Sequence, residues 1–380
     1  RFGIKQEQFE QSFVLIVVLF SFSAALEQLR QVYSSLLIAS KKIYIDNLIQ
    51  IGMYLLHTIL VLVLLPYLGI KILAISNLIV VLFNLFKANF RARKLYADIK
   101  TNIRFASKNK LTFFLKNGLY FTIASVAGIL LVKFDSFFLG KNVGLALVTS
   151  FYLSIKLFTL TEKLITIMVN NFRPHIAQLY GKKDFKSMRS FYSFATIITI
   201  CIGCLLIGIT MLINKYFLKI WVGEDFFIGD QFTYLYGIFI ITSIAAIPSR
   251  IILTATLFRL KIHSFYRVAE GTVRVLLILS LFSFLGINIL PLSSILASLV
   301  FGFIALYFLV NQFFVEQKIQ LHKGIMILLP LITIVFLILA SVELHLLIPY
   351  LSILIGIIGF VYLQRNYLSE IKSLVKIFIR

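Results

Sequence analysis

The sequence predicts an all-α, polytopic membrane protein with about eleven transmembrane helices. Three observations predict it. Of 380 residues, 60% are hydrophobic and only 14% charged. The apolar residues form long blocks rather than amphipathic stripes, and the basic residues concentrate in alternate loops between the blocks. A soluble domain carries about a quarter of its residues as charges. A helix rises about 1.5 Å per residue, so about 20 apolar residues cross about 30 Å of hydrocarbon, which is the length of these blocks. Spanning β-barrels alternate apolar and polar residues in segments of about ten, a pattern this chain lacks.

The first span, 12–38, carries Glu27 and Arg30 three residues apart, close enough to pair on one helix. The second, 43–66, holds His57, read as a packed helix contact, and the third covers 68–90. The fourth, 112–134, has Lys116 near its start and ends beside Lys133 and Asp135, the aspartate being either an interfacial residue or an ion-coupling group. The fifth covers 144–170. The sixth, 190–213, contains Cys201 and Cys204. A redox or zinc C-x-x-C needs a polar, accessible setting, so these two are read as packing residues. In the seventh, 232–257, Pro248 precedes Arg250 by two residues and would loosen the helix as a hinge. The eighth, 271–286, places Arg274 near the cytoplasmic interface, where it and Lys116 would snorkel. Spans at 290–312, 324–341 and 347–363 complete the set. Trp221 belongs to an outer aromatic belt.

The formal charge of +22 would suggest nucleic acid in a soluble protein, but its placement points elsewhere. One set of alternate loops holds 24 of the 37 Lys and Arg residues, densest from Lys87 to Lys110 and from Arg173 to Arg189; the opposite set holds seven. The positive-inside rule puts the basic set and the C-terminus in the cytoplasm, next to anionic lipid head groups, and residue 1 outside. The first residue is Arg rather than Met, so the start of the chain is expected to be missing.

An internal repeat supports this expectation. Leu68-Gly69-Ile70-Lys71-Ile72-Leu73-Ala74-Ile75-Ser76 matches Leu285-Gly286-Ile287-Asn288-Ile289-Leu290-Pro291-Leu292-Ser293 at six of nine positions, and Lys42-Ile43 matches Lys261-Ile262 just upstream. The matched spans are six apart, an even number, which makes the repeat parallel, with a pseudo-two-fold along the membrane normal. The chain then divides into 1–110, the C-terminal half of a first helical bundle with a basic cytoplasmic linker; 111–315, a second six-helix bundle; and 316–380, two extra spans and a cytoplasmic tail. The parent would have about 14 spans.

Ionisable groups inside spans need a partner, a hydrated cavity or a role. In the fifth span Thr149, Tyr152, Lys156, Thr159, Lys163, Thr166 and Asn170 recur at alternating spacings of three and four, which lines one helix face. Two lysines on one face repel unless an anion or water lies between them, so this face reads as the cationic wall of a cavity for an anionic head group. Polar glue between helices is the competing reading. Glu162 lies off this face and is expected to pair locally. Glu27 and Arg30 form either a structural salt bridge or a substrate contact. Under the repeat Arg30 falls within one residue of the equivalent of Arg250. Matched arginines facing a shared axis would suit a phosphate-binding cavity, because arginine holds phosphate bidentately. The chain contains no Walker A sequence, zinc cluster or G-x-S-x-G elbow, and its external loops are too short for a catalytic domain, so a transporter is expected rather than an enzyme.

Two parallel-related bundles plus two extra spans resemble the multidrug/oligosaccharidyl-lipid/polysaccharide flippase superfamily. Phe134-Asp135-Ser136-Phe137-Phe138-Leu139-Gly140, Phe172-Arg173-Pro174-His175-Ile176-Ala177 with Gly181, and Lys219-Ile220-Trp221-Val222-Gly223-Glu224 resemble its polysaccharide-exporter branch, the O-antigen type flippases. The first three spans, where that superfamily often places cavity residues, would be absent. The resemblance implies alternating-access movement of a polyprenyl-diphosphate-linked oligosaccharide across a bacterial cytoplasmic membrane, without a cofactor or metal. Lys156 and Lys163 would attract the diphosphate, Arg30, Arg250, Thr159 and Asn170 would complete the chamber, and Asp135 and Glu27 are the candidate ion-coupling groups. Partners would be the lipid-linked oligosaccharide, membrane lipids and other polysaccharide-assembly membrane proteins, with no nucleic acid. A multidrug exporter, whose cationic substrates would want an acidic chamber, and a membrane-embedded polymerase or transferase are the alternatives, with a non-transporting scaffold for glycan assembly a third.

Overall fold

The computed structural model describes residues 6–39, 43–95, 107–321, 324–341 and 345–367. The topogenic residues Arg1, Lys5, Lys41, Lys42, Lys100, Arg104, Lys323, Lys372, Lys376 and Arg380 lie outside these ranges. Every regular element among the described residues is helical, and the chain forms two compact units, Arg1–Ala106 and Ser107–Arg380.

The first unit is three helices: α1 (Gln6–Ala39), α2 (Ile43–Leu68) and α3 (Lys71–Leu95). α3 packs along both others. His57 Nδ1 lies 3.0 Å from Ser76 Oγ, joining α2 to α3, so the lone histidine is an interhelical contact.

The second unit begins with α4 (Lys108–Asn142), capped by Ser107 Oγ, which accepts from the Lys110 amide. There follow α5 (Leu145–Ser154), α6 (Lys156–Asn170), the short α7 (Arg173–Gly181), α8 (Phe185–Trp221), α9 (Asp230–Ala245), α10 (Ile247–Thr256) and α11 (Leu260–Leu285). α12 (Ile289–Ala297) runs through a π-helical turn at Ser298–Ile304 into α13 (Ala305–Glu316), and α14 (Gly324–Ser341) and α15 (Leu347–Asn366) close the chain. The buried core is aromatic and aliphatic, with Phe191, Tyr192 and Phe194 from α8, Ile240 and Ile244 from α9, and Phe314 from α13.

The last two helices belong to this unit: α15 packs along α8, and α14 against α9. Glycine permits the α15 contact. A Cβ on Gly356 would stand 2.8 Å from the Cys201 carbonyl oxygen, and one on Gly359 would stand 2.2 Å from Cys201 Sγ. Cys201 and Cys204 are buried at this seam, and Ser352 Oγ donates to the Cys204 carbonyl at 2.7 Å. Small residues let backbones approach closely where lipid offers no hydrophobic gain, and the cysteines serve that packing.

Eight helical stretches among the described residues are long and apolar enough to cross a membrane, and nine if Leu145–Ser154 and Lys156–Gly181, bent by 44°, make one span. The chain is a multi-pass α-helical membrane protein. The longest stretch, Leu260–Glu316, would be roughly 86 Å long if straight. It folds back at Gly286 (φ 54°), so that α11 packs on α12 and the π-helical turn. Gly69, which opens the matching sequence copy, also has a positive φ, 58°, at the α2–α3 turn.

Two helices run past their expected ends. α4 continues through Lys133 and Asp135 to Asn142, and α11 starts at Leu260 rather than near 271. Hydropathy falls at charges, but a helical backbone does not break there when the charged side chains find partners. Asp135 therefore lies inside a continuous helix rather than at its end, and Arg274 is buried against it rather than extended to a surface.

Candidate anion-binding cleft

The predicted polar face of the fifth span exists but is interrupted. The helix breaks at Ile155 (φ −91°, ψ −2°), so Lys156 is the first residue of α6. The break is satisfied from elsewhere: Asn214 Nδ2 donates to the freed Ser154 carbonyl at 3.1 Å, and Ser154 Oγ donates to the Phe226 carbonyl at 2.9 Å. Phe151, Phe158, Ile165 and Val169 turn into the core. The opposite face leaves Lys156, Lys163 and Asn170 exposed, with Thr159 half-buried and bonded to the Lys156 carbonyl at 2.8 Å.

Arg30 is fully engaged within the first unit. Glu27 Oε1 accepts from its Nε at 2.7 Å and Asp46 Oδ1 from its Nη1 at 3.2 Å. Asp46 Oδ2 also accepts from Ser34 Oγ at 2.7 Å and from Gln50 Nε2 at 2.8 Å. Two carboxylates thus neutralise Arg30, and Glu27 acts there as its counter-ion.

Arg250 sits differently. The helix breaks at Ala246 just before Pro248, a proline tolerated at the start of α10 because its missing amide would be unpaired there anyway. Arg250 follows one half-turn later and lines a cleft of about 580 Å³. Phe121, Ser125, Gly128 and Lys133 of α4, Arg173 at the start of α7, Thr254 of α10, and His263 and Arg267 of α11 line the same cleft. Gly128 makes room for Arg267, whose Nη2 lies 3.4 Å from where a Cβ would be. Arg267 Nη1 donates to Glu270 Oε2 at 2.6 Å. Glu162 of α6 lies in the field of both Arg250 and Arg267.

The charges do not balance. Lys133, Arg173, Arg250 and Arg267 are four cations, and Glu162 and Glu270 two carboxylates, leaving two positive charges. Arg250 Nε and Nη2 are buried and make no hydrogen bond. An unsatisfied buried donor costs about 1–3 kcal/mol, more when charged. Such an arginine is suited to an oxyanion, which takes parallel N–H bonds from a guanidinium.

Farther along the same helices, Asp135 of α4 and Arg274 of α11 form a buried ion pair. The charges of both reach Tyr236, as does that of Glu162. Of the residues singled out in the sequence, the cleft gathers Arg250 alone. Lys156, Lys163, Thr159 and Asn170 stand on the open face of α6, and Asp135 lies in the ion pair. Arg267, Arg173, Lys133 and Glu270 were missed as site residues because they counted as loop or interface charge. One signal was present: His263, Arg267, Glu270 and Arg274 recur at spacings of four, three and four, which is one face of α11.

Among the described residues no cluster of His, Cys, Asp or Glu could hold a metal ion. Comparison with protein-family models, curated proteins and solved structures finds no match.

Proposed function

We propose that the protein is a flippase that moves a polyprenyl-diphosphate-linked oligosaccharide across a bacterial cytoplasmic membrane by alternating access, for cell-surface polysaccharide assembly, with its C-terminus in the cytoplasm. The observation that carries the reading is the cleft beside Arg250: two uncompensated positive charges and two idle guanidinium N–H groups within a membrane-embedded helical unit. A diphosphate supplies the charge and the oxygens these groups lack. Hydrated glycan would occupy the cleft, with the polyprenyl chain remaining in lipid. Lys156 and Lys163, on the open face of α6, would attract the diphosphate head group. A drug exporter for cations is disfavoured by the sign of the cleft.

Eleven spans follow if the hairpin at Gly286 counts as two and Gly324–Ser341 is added to the nine long stretches. The left-handed glycines at both copies of the repeated segment support a parallel repeat of six-helix bundles and hence a parent of about 14 spans.

The test is movement of a fluorescent polyprenyl-diphosphate oligosaccharide between leaflets of proteoliposomes. Protein-dependent movement is expected, reduced at least about tenfold by Arg250→Met, the cost of losing one charge-assisted contact. The same variant should melt no lower than wild type, since a buried, unsatisfied cation is removed. Absence of movement under proton, sodium and potential gradients alike would sink the reading.

A further inference from the structure

The mechanism proposed above leaves Glu270 unexplained: a carboxylate bonded to Arg267, which lines a cleft meant for an anion. It is 7% exposed, and only one of its oxygens is used by Arg267. Its other oxygen, Oε1, points to Gly302, and so does the idle Nη2 of Arg250. Measured from the place a Cβ on Gly302 would take, they lie 3.4 Å and 3.7 Å away. Glu270 Oε1 and Arg250 Nη2 thus both lie beside residue 302, where a glycine puts no side chain against them. Gly302 itself lies in the π-helical turn Ser298–Ile304, a local distortion of a kind often found at functional sites.

We infer that Glu270 is a resident counter-ion, which holds Arg267 while the cleft is empty and gives it up when an anionic phosphate group binds in the cleft at Arg250. The inference rests on the anionic-substrate reading and adds the device that lets the substrate leave. An oxyanion bonded to Arg250 Nε and Nη2 brings negative charge next to the Glu270 carboxylate. Repulsion between them weakens binding, and it is partly offset when Arg267 turns from Glu270 to the anion, so that two guanidiniums grip the phosphate. On release Arg267 returns to Glu270, and the empty cleft is spared a second unpaired guanidinium. Four cations without these two carboxylates would bind a diphosphate and keep it, whereas a transporter must also let go. Glu270 is thus a positioning residue that sets affinity through Arg267.

The experiment measures equilibrium binding of farnesyl diphosphate, with inorganic pyrophosphate in parallel, to the purified chain in detergent, alongside the leaflet-transfer assay. Glu270→Gln should bind the diphosphate about tenfold tighter, because a like charge is removed at short range, yet move lipid-linked substrate more slowly. Glu270→Asp should restore wild-type behaviour. Gly302→Ala should bind several-fold more weakly without a lower melting temperature, its methyl standing against Glu270 Oε1 and Arg250 Nη2 and hindering their rearrangement. Unchanged or weaker binding by Glu270→Gln overturns the inference, since a purely structural salt bridge predicts loss. If Glu270→Gln does not fold, undiminished binding by Gly302→Ala overturns it instead. If the wild type binds no diphosphate, the anionic-substrate reading falls with it; if the wild type binds and transports while Glu270→Gln matches it, the counter-ion role alone is wrong.

Discussion

Asp135 and Arg274 show what a charge inside a membrane helix requires. Each is nearly inaccessible, and each is the other's ion-pair partner across the α4–α11 contact. Removing one charge of a buried pair is strongly unfavourable: Asp135→Asn is expected to cost about 3–5 kcal/mol of stability, whereas Asp135→Leu with Arg274→Met should be close to neutral. Unfolding of the two variants beside the wild type in one detergent checks this. A neutral single variant would mean that water or an ion replaces the lost carboxylate. Single residues of this kind were partly legible in the sequence. Asp135 and Arg250 were conspicuous as charges in apolar blocks. Arg267 and Glu270 were not, because the charges that make the site also lowered the hydropathy by which the span was located.

At the scale of elements, the two broken helices differ in how they can be read. The break at Ala246 has a local cause in Pro248, and the sequence marks it. The break at Ile155 has neither Pro nor Gly within it, and its support comes from Asn214, 60 residues away. No local pattern announces a carbonyl that is paired by a distant helix. Its prediction is equally specific: Asn214→Leu leaves the Ser154 carbonyl without its amide donor and should destabilise the second unit by about 1–3 kcal/mol. Hydrogen exchange at the α5–α6 junction should rise in that variant more than in α15. Equal protection would show that the break is held by other means. The repeated segments are a different case. Their identities mark two turns, at Gly69 and Gly286, where a left-handed φ favours the residue without a Cβ.

For the whole molecule, the alternation of basic loops specifies sidedness. Single-cysteine variants at Lys141 and Gly181, made with Cys201 and Cys204 replaced by alanine, test it with a membrane-impermeant thiol reagent. Position 141 should label on intact cells and position 181 only after permeabilisation; the reverse pattern would invert the topology. Architecture was legible at this scale because it is set by the bilayer, whose thickness fixes helix length and whose leaflets sort charge. Chemistry was not, because the cleft is assembled from α4, α7, α10 and α11, whose residues span more than half of the second unit.

α4 and α11 run in the same direction and are joined at three heights: Ser264 Oγ donates to the Tyr120 carbonyl, Arg267 rests against Gly128, and Arg274 pairs with Asp135. Such a pair behaves as a strut. Bending it would part a hydrogen bond, a close contact and an ion pair together, whereas the helix at Ile155 is already bent by 44° and that at Ala246 is already interrupted by a single residue. Under the proposed transport cycle, a change of shape in this unit would be borne by the jointed helices swinging about a stiff rail. The cleft would then open and close by the approach of α10, bearing Arg250, to the α4–α11 backbone that carries Lys133 and Arg267.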